Sequence, residues 1–317
     1  MSANGLAARK PESARIGALT ASGCVLLAAM ACFAHGQSSA QAVKGSSAPP
    51  AKPAERQTAT PKAADHATPE SATLALCPVV YPDDQTPAPR GYRYTFFGNA
   101  FFINDQGYLL TVAHVLESFR DGGQPYILVN RRDAPPELLK VTVVATDPQH
   151  DVAILRATPN PFGGRYEVGS VPLSAEAAER GENVLALSLH PKKAQDAHSF
   201  ESQREDSSPG TVLSIESTQL QKPGPPAEVF LLSHPVVKGQ SGSPVLALNS
   251  RSAVGLIEGL WLRGVTLSSA KASALPSDTP GAAVPIRYAI ALLDENHVSW
   301  TSVPGPSTAR SAAPSQP

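Results

Sequence analysis

Three short segments of this chain each place one polar residue beside an apolar run. His114 closes Leu110–His114, Asp151 directly precedes Val152–Leu155, and Ser241 lies within the glycine-bounded segment Gly239–Val245. Histidine, aspartate and serine together can supply a nucleophile, its base and the group that orients the base. The sequence therefore predicts His114, Asp151 and Ser241 as the catalytic residues of a hydrolytic reaction.

The proposed chemistry requires these residue types. A serine hydroxyl is a weak nucleophile at neutral pH and needs a base within hydrogen-bond reach. The imidazole of His114 would be that base, and the carboxylate of Asp151 would fix its tautomer and stabilise the imidazolium. A tight turn at Ser241 would present the backbone N–H groups of Gly239 and Ser241 as an oxyanion hole.

Two neighbouring residues are alternatives for the acid and the base. Asp147 competes with Asp151, but Asp147-Pro148 is typical of a turn, whereas Asp151 immediately precedes the apolar run. His150 is interpreted as a loop residue beside the acid. We therefore assign the acid to Asp151.

The elements that must position these residues are mostly strands. Short apolar runs alternate with turn signals, as where Tyr94–Ile103 and Tyr108–Val112 flank a glycine-containing loop and so predict a hairpin. Only Ala175–Arg180 and Arg287–Glu295 look helical. Many strands at near-regular spacing with few helices indicate an all-β sandwich or barrel.

The three segments resemble the motifs of trypsin-like serine proteases, in particular the bacterial HtrA-like and glutamyl-endopeptidase-like branches. Thr111–His114 matches T-x-A-H, Asp151–Leu155 matches D-[LIV]-A-[LIV]-L, and Gly239–Pro244 is similar to G-[DN]-S-G-[GS]-P. The likeness spans about Tyr94 to Pro285 and includes the His, Asp, Ser order. It implies a chymotrypsin-like fold of two antiparallel six-stranded β-barrels, about residues 77–168 and 169–300, with a short C-terminal helix.

The same resemblance implies a serine endopeptidase that hydrolyses peptide bonds through an acyl-enzyme. His114 and Asp151 would come from the first barrel and Ser241 from the second, at a cleft between them. HtrA-like proteins commonly carry a PDZ domain, but only about 30 residues follow Pro285 here, so we expect none. Protein or peptide substrates are the expected partners.

Two positions depart from the common family pattern. Gln240 stands where digestive members carry an aspartate that pairs with a newly cut N-terminus, an ion pair that glutamine cannot make. We therefore expect no N-terminal insertion during activation. Ser243 replaces the commoner glycine, as in the glutamyl-endopeptidase branch, and is expected to leave the chemistry intact.

The primary specificity pocket is harder to assign. The family builds it from the segment before the nucleophile and from the following strand, which gives His234, Pro235 and Ile257 as candidates. His234 would favour an acidic substrate side chain, since glutamyl endopeptidases use a histidine in this pocket. A small apolar pocket, as in HtrA-like enzymes, is the alternative, and the residues do not decide between them.

The two ends of the chain have a different composition. Arg9, Lys10 and Arg15 precede an uncharged stretch at residues 16–34, and Ala40-Gln41-Ala42 fits a signal-peptide cleavage site. We therefore expect residues 1–42 to be an export signal, with a membrane anchor at 16–34 as the alternative. Residues 43–74 are predicted to be a disordered linker rich in Pro and Ala, 75–300 the protease domain and 301–317 a disordered tail.

Composition limits the remaining classes of function. Charged residues make up 17% of the chain and the net charge is −1, which does not suggest a nucleic-acid partner. After the signal only Cys77 remains, so no internal disulfide is expected. No cluster of His, Cys or Asp has the spacing of metal ligands, so neither a metal nor another cofactor is implied.

Two other functions compete with this interpretation. An α/β-hydrolase needs G-x-S-x-G and the order Ser, Asp, His, but position 243 is serine and the order differs. A catalytically silent binding or scaffold protein of the same fold remains the alternative, because an intact triad beside a distorted oxyanion loop would be inactive. The sequence does not indicate an oligomeric state.

Overall fold

Thirteen strands and a few short helices make up the described part of the chain. The structure, a computed structural model, describes residues 69–83, 94–119, 122–191, 203–220, 223–262, 265–267 and 279–303. The expected signal or anchor, most of the expected linker and the end of the expected tail lie outside these residues. Within them, no helix is both long enough and apolar enough to cross a membrane.

Six antiparallel strands close the first barrel, in the order β1-β2-β3-β6-β5-β4. They are β1 Leu76–Pro82, β2 Tyr94–Phe102, β3 Tyr108–Thr111, β4 Tyr126–Arg131, β5 Ala134–Asp147 and β6 Val152–Thr158. β2 and β3 form the hairpin predicted from Tyr94–Val112, with Phe101 opposite Leu110. A 3₁₀ helix, Ala113–Phe119, follows β3 after one intervening residue.

Six further strands close the second barrel, because β10 pairs with both β7 and β11. They are β7 Asn183–Pro191, β8 Gln203–Thr218, β9 Ala227–Leu232, β10 Pro244–Ala247, β11 Ala253–Leu262 and β13 Gly281–Pro285. The short strand β12, Val265–Leu267, pairs antiparallel with the end of β11. The expected fold of two six-stranded antiparallel barrels is therefore confirmed.

Two large apolar clusters stabilise the barrels, and a smaller third one lies between β1, β2 and β4 around Tyr94. One fills the first barrel and continues along the second barrel to the C-terminal helix, and the other fills the second barrel around Phe230, Val245 and Ile257. Burying each such side chain contributes about 1.5–3 kcal/mol. Cys77 is a free, buried thiol in β1, so the core does not depend on a disulfide among the described residues.

The C-terminal helix α2, Ile286–Glu295, closes the domain as expected. Its buried residues Ile286, Ala289, Leu292 and Leu293 fall on one face at helical spacing. Pro285 precedes the helix, where a residue without a backbone N–H sacrifices no helical hydrogen bond.

Three local expectations differ from the structure. A short helix α1, Pro69–Leu74, occupies the end of the segment assigned to the linker, and Ala72 is fully buried. At the other end Ser302 bridges to Leu173, inside the segment assigned to the tail. The helix expected at 175–180 is wrong: the segment forms bends and turns, and Ala178 is its one buried residue, so a helix there would have no apolar face to pack.

Candidate active site

His114 and Asp151 are joined by two hydrogen bonds at one end of the first barrel. Nδ1 of His114 lies 2.7 Å from Oδ2 of Asp151, and the backbone N–H of His114 donates to Oδ1 at 2.8 Å. The backbone N–H of Ala113 donates to the carbonyl of Asp151 at 3.2 Å. The carboxylate therefore fixes both the position of the 3₁₀ helix and the orientation of its imidazole.

Asp151 has an unusual backbone conformation. Its φ is +54°, in the left-handed region, which aspartate tolerates better than most residues. The side chain is buried, with 6% of the residue exposed. Strain of about 1–3 kcal/mol at such a residue persists only where the surroundings impose it, and it is concentrated at functional sites.

The two alternatives, Asp147 and His150, form a separate pair. Nδ1 of His150 lies 2.5 Å from Oδ2 of Asp147, and Oδ1 of Asp147 accepts from the N–H of Gln149 at 3.0 Å. The His150 ring stacks on Tyr288 of α2, with ring centroids 4.0 Å apart. Asp147 is therefore a turn-forming residue, as the sequence indicated.

Ser241 lies in the turn before β10, where the second barrel meets the first. Its carbonyl accepts from the backbone N–H of Asn99 in β2 at 2.8 Å. The next residue, Gly242, has φ +83°, and a Cβ there would lie 2.1 Å from the carbonyl oxygen of Asn99. Only glycine fits, and the close approach brings Ser241 against the first barrel.

The hydroxyl of Ser241 has a hydrogen-bond partner other than His114. It donates to the backbone carbonyl of Glu258 in β11 at 3.3 Å, and among the described residues no hydrogen bond joins it to the imidazole. The residue is 2% exposed. A hydrogen bond between the Ser241 hydroxyl and His114 must therefore form before any proton passes between the two.

Glu258 links Ser241 to the histidine pair. A register shift between Ile257 and Gly259 in the pairing of β11 with β13 marks a bulge at this residue. Bulges re-aim side chains next to active sites. The buried carboxylate of Glu258 lies within 4.8 Å of ligand atoms of both His114 and Asp151, while its carbonyl holds Ser241.

These acidic neighbours make His114 strongly basic. Burial by itself lowers the pKa of His114, but the charge and hydrogen bond of Asp151, and then the charges of Glu258 and Glu117, outweigh it and raise the pKa to about 9. The imidazole can accept a proton only when neutral, so its readiness as a base increases with pH up to about 9.

His114, Asp151 and Glu258 are also the one group in the described part of the chain that offers three metal-ligand atoms. The contact between Nδ1 of His114 and Oδ2 of Asp151 is at hydrogen-bond distance. A metal ion bound here would have to replace that hydrogen bond, so the geometry is that of an acid–imidazole pair.

The three pocket candidates lie in different surroundings. His234 is partly buried against Gly210 in β8, and neither ring nitrogen has a hydrogen-bond partner among the described residues; burial lowers its pKa. Pro235 is exposed. Ile257 is 1% exposed and belongs to the core of the second barrel. The pocket assignment stays a prediction.

Sequence reasoning missed two residues at this site. Glu258 interrupts an apolar strand, and Asn99 interrupts another, so a polar residue in an otherwise buried run was the available signal. Asn99 is fully buried, and its side chain reaches Gly239, at 2.7 Å, in the turn that carries Ser241.

Replacing Glu258 with glutamine is expected to lower the pKa of His114, because a neutral amide no longer stabilises the imidazolium. The acid limb of the pH profile of kcat/KM should move down by about one pH unit, the effect of one nearby charge. The measurement is that profile for the wild type and E258Q.

The matched control is Glu117→Gln. Glu117 is exposed and raises the pKa of His114 less than Glu258 does, so this substitution should move the acid limb of the profile less. An unmoved limb in E258Q would show that Glu258 does not act on His114.

Comparisons with known proteins agree with this fold. Residues 98–256 of the 317 match the family model described as a trypsin-like peptidase domain. The crystal structure of the active form of the Rv3671c protease from M. tuberculosis is similar, with a TM-score of 0.50, 19% identity, and coverage of 80% of this chain and 96% of that one.

Two other solved structures are more distant. The HtrA-type protease AlgW with a decapeptide has a TM-score of 0.48 and 16% identity, covering 72% of this chain and 65% of that one. Deg5 has a TM-score of 0.48 and 14% identity, covering 70% and 88%. A search of curated protein sequences finds no match.

Proposed function

Because the chain belongs to the trypsin-like peptidase family, we propose that it is a serine endopeptidase whose triad is His114, Asp151 and Ser241. The observation that carries the proposal is the two-point contact between His114 and Asp151, at 2.7 Å and 2.8 Å, beside the turn that presents Ser241. The Asp147–His150 pair makes the same two kinds of contact. What distinguishes His114 is that the Asp151 carboxylate is buried and that Glu258, whose carbonyl binds Ser241, lies within 4.8 Å.

The reaction would proceed through an acyl-enzyme. The Ser241 hydroxyl turns from the Glu258 carbonyl toward His114, gives its proton to the free imidazole nitrogen and attacks the substrate carbonyl. His114 then returns the proton to the leaving amine, and a water molecule activated in the same way releases the acyl group. Asp151 stabilises the imidazolium throughout.

Backbone amides of Gly239 and Ser241 would stabilise the tetrahedral intermediate. Within the described residues no acceptor is found for the N–H of Ser241. Removing one oxyanion donor typically costs about 10²–10³ in kcat, so the conformation of this turn decides whether the site is active.

One observation favours the catalytically silent alternative. The Ser241 hydroxyl is hydrogen-bonded to the carbonyl of Glu258 rather than to the imidazole. However, such a bond contributes only about 0.5–1.5 kcal/mol, and staggered rotamers interconvert readily. This hydrogen bond is therefore compatible with Ser241 acting as the nucleophile once its hydroxyl has exchanged the Glu258 carbonyl for His114.

Profiling of cleavage sites on a denatured proteome tests the proposed function. The purified chain should cut internal peptide bonds, and an activated ester should show a burst of leaving group equal to the enzyme concentration, as an acyl-enzyme requires. Glutamate before the cleaved bond would support His234 as a specificity residue. Small apolar residues at that position would support a small apolar pocket instead. A chain that cuts no peptide and gives no burst is not an endopeptidase.

We also propose that the protease is exported, to the periplasm or the medium, by residues 1–42. When the full chain is expressed in a Gram-negative bacterium, the recovered protein should begin at Val43, as N-terminal mass spectrometry would reveal. An intact chain in the membrane fraction would instead favour the anchor at 16–34, and an intact chain in the cytoplasm would contradict both.

A further inference from the structure

The residues before the nucleophile form a type II turn. The N–H of Gln240 donates to the carbonyl of Val237 at 3.2 Å, and Gly239, the third residue, has φ +96°. Lys238, the second residue, has no positive φ, and this combination defines type II and requires glycine at the third position. A Cβ on Gly239 would also lie 2.5 Å from Cε1 of Phe96.

Asn99 fixes the last carbonyl of this turn. Its Nδ2 donates to the carbonyl of Gly239 at 2.7 Å and to the carbonyl of Leu189 at 2.9 Å, and its Oδ1 accepts from the N–H of Leu189 at 3.1 Å. The carboxamide therefore ties strand β2 of the first barrel to strand β7 of the second and to the turn. The backbone N–H of the same residue donates to the carbonyl of Ser241 at 2.8 Å.

Gln240 fixes the first N–H of the turn. Its Oε1 accepts from the N–H of Val237 at 2.9 Å, and its Nε2 donates to Oγ of Ser188 in β7 at 3.0 Å. The residue is 3% exposed. Both ends of the turn are thus attached to adjacent residues of one strand, Ser188 and Leu189.

Every group in this network is uncharged. A buried carboxamide has donors and an acceptor, so it can satisfy peptide groups without the cost of burying an ion. Such a network does not depend on a free N-terminal ammonium group or on its release by proteolysis. The turn therefore has its supports within the two barrels themselves.

We propose that Asn99 and Gln240 are positioning residues that hold the turn Val237–Gln240, the oxyanion turn, in its active form. No insertion of a newly cut N-terminus is needed. The inference rests on the proposed endopeptidase function. Its consequence is that the protease is competent as soon as the two barrels have folded. Neither residue contacts the reacting atoms; they act through the placement of Gly239 and Ser241.

Replacing Asn99 with alanine should lower kcat by about 10²-fold with little change in KM, because a misplacement of about 1 Å at a reacting group can cost that much. The substrate is a peptide p-nitroanilide built on the preferred cleavage site. The corresponding peptide aldehyde, whose adduct places an oxyanion in the hole, should lose a similar factor in affinity.

Asn104→Ala is the matched control. Asn104 is also buried and also makes three side-chain hydrogen bonds, to the carbonyl of Ser299 at 2.6 Å and from the N–H groups of Gln106 and Tyr108 at 3.1 and 3.2 Å. It does not contact the turn. N104A should therefore lose stability to a similar extent but keep its kcat.

A second variant decides the matter if N99A fails to fold. Ser188→Ala removes only the anchor of Gln240 and should lower kcat by about tenfold, with the aldehyde affinity falling in parallel. Full turnover in folded N99A, or in S188A if N99A is unfolded, would overturn the inference while leaving the endopeptidase intact. An inactive wild type would instead reject the proposed function.

Discussion

Replacing Ser241 with alanine is expected to lower kcat/KM for peptide hydrolysis by about 10⁶-fold, the loss seen when a triad nucleophile is removed. The physical reason is that alanine has no hydroxyl to attack the substrate carbonyl or to give a proton to His114. The fold should survive, since the variant loses a single hydrogen bond, from Oγ to the carbonyl of Glu258. That loss costs about 1 kcal/mol of unfolding free energy.

The neighbouring Ser243 provides a matched control for this experiment. It is fully buried in the same turn, and its Oγ has no hydrogen-bond partner among the described residues. Ser243→Ala should therefore keep its turnover and its unfolding midpoint. Comparable activity in S241A and S243A would show that the nucleophile lies elsewhere.

Replacing Asp151 with asparagine is expected to lower the plateau value of kcat by about 10⁴-fold, because an amide favours the wrong imidazole tautomer and cannot stabilise the imidazolium. Asparagine tolerates the left-handed backbone conformation, and its Oδ1 can still accept the N–H of His114. Folding should be largely retained, so the loss reports on chemistry.

The measurement for D151N is a full pH profile rather than a single rate. Asp151 is the main source of the raised pKa of His114, so the acid limb should also move to lower pH. The control is Asp147→Asn, which breaks the pair with His150 but should leave kcat near the wild-type value. An inactive D147N together with an active D151N would exchange the two assignments.

The barrels and the strand-and-turn context of His114, Asp151 and Ser241 were predictable because their signals are local. Strand alternation around Tyr94–Val112 and the glycine-bounded turn at Ser241 depend on residues close in sequence. Even so, Ala175–Arg180 was wrongly expected to be helical, since only Ala178 in it is buried and a short helix needs a packed face.

The supports of the site were not predictable, because they depend on contacts between distant segments. Asn99 meets Gly239 across 140 residues, and the bulge that aims Glu258 appears only when β11 pairs with β13. The sequence near Asn99 and near Glu258 does not indicate which distant residues they contact. The basicity of His114 has the same origin, since it depends on charges brought together by folding.

Labelling with a fluorophosphonate probe tests the central claim most directly, because the probe reacts only with a serine that is activated by its base and oxyanion hole. The folded wild-type chain should incorporate one probe, mapped by mass spectrometry to Ser241, more quickly as the pH rises toward 9. S241A and heat-denatured protein should remain unlabelled. A folded wild type that takes up no probe, or S241A that labels equally, would contradict the assignment of Ser241 as the nucleophile.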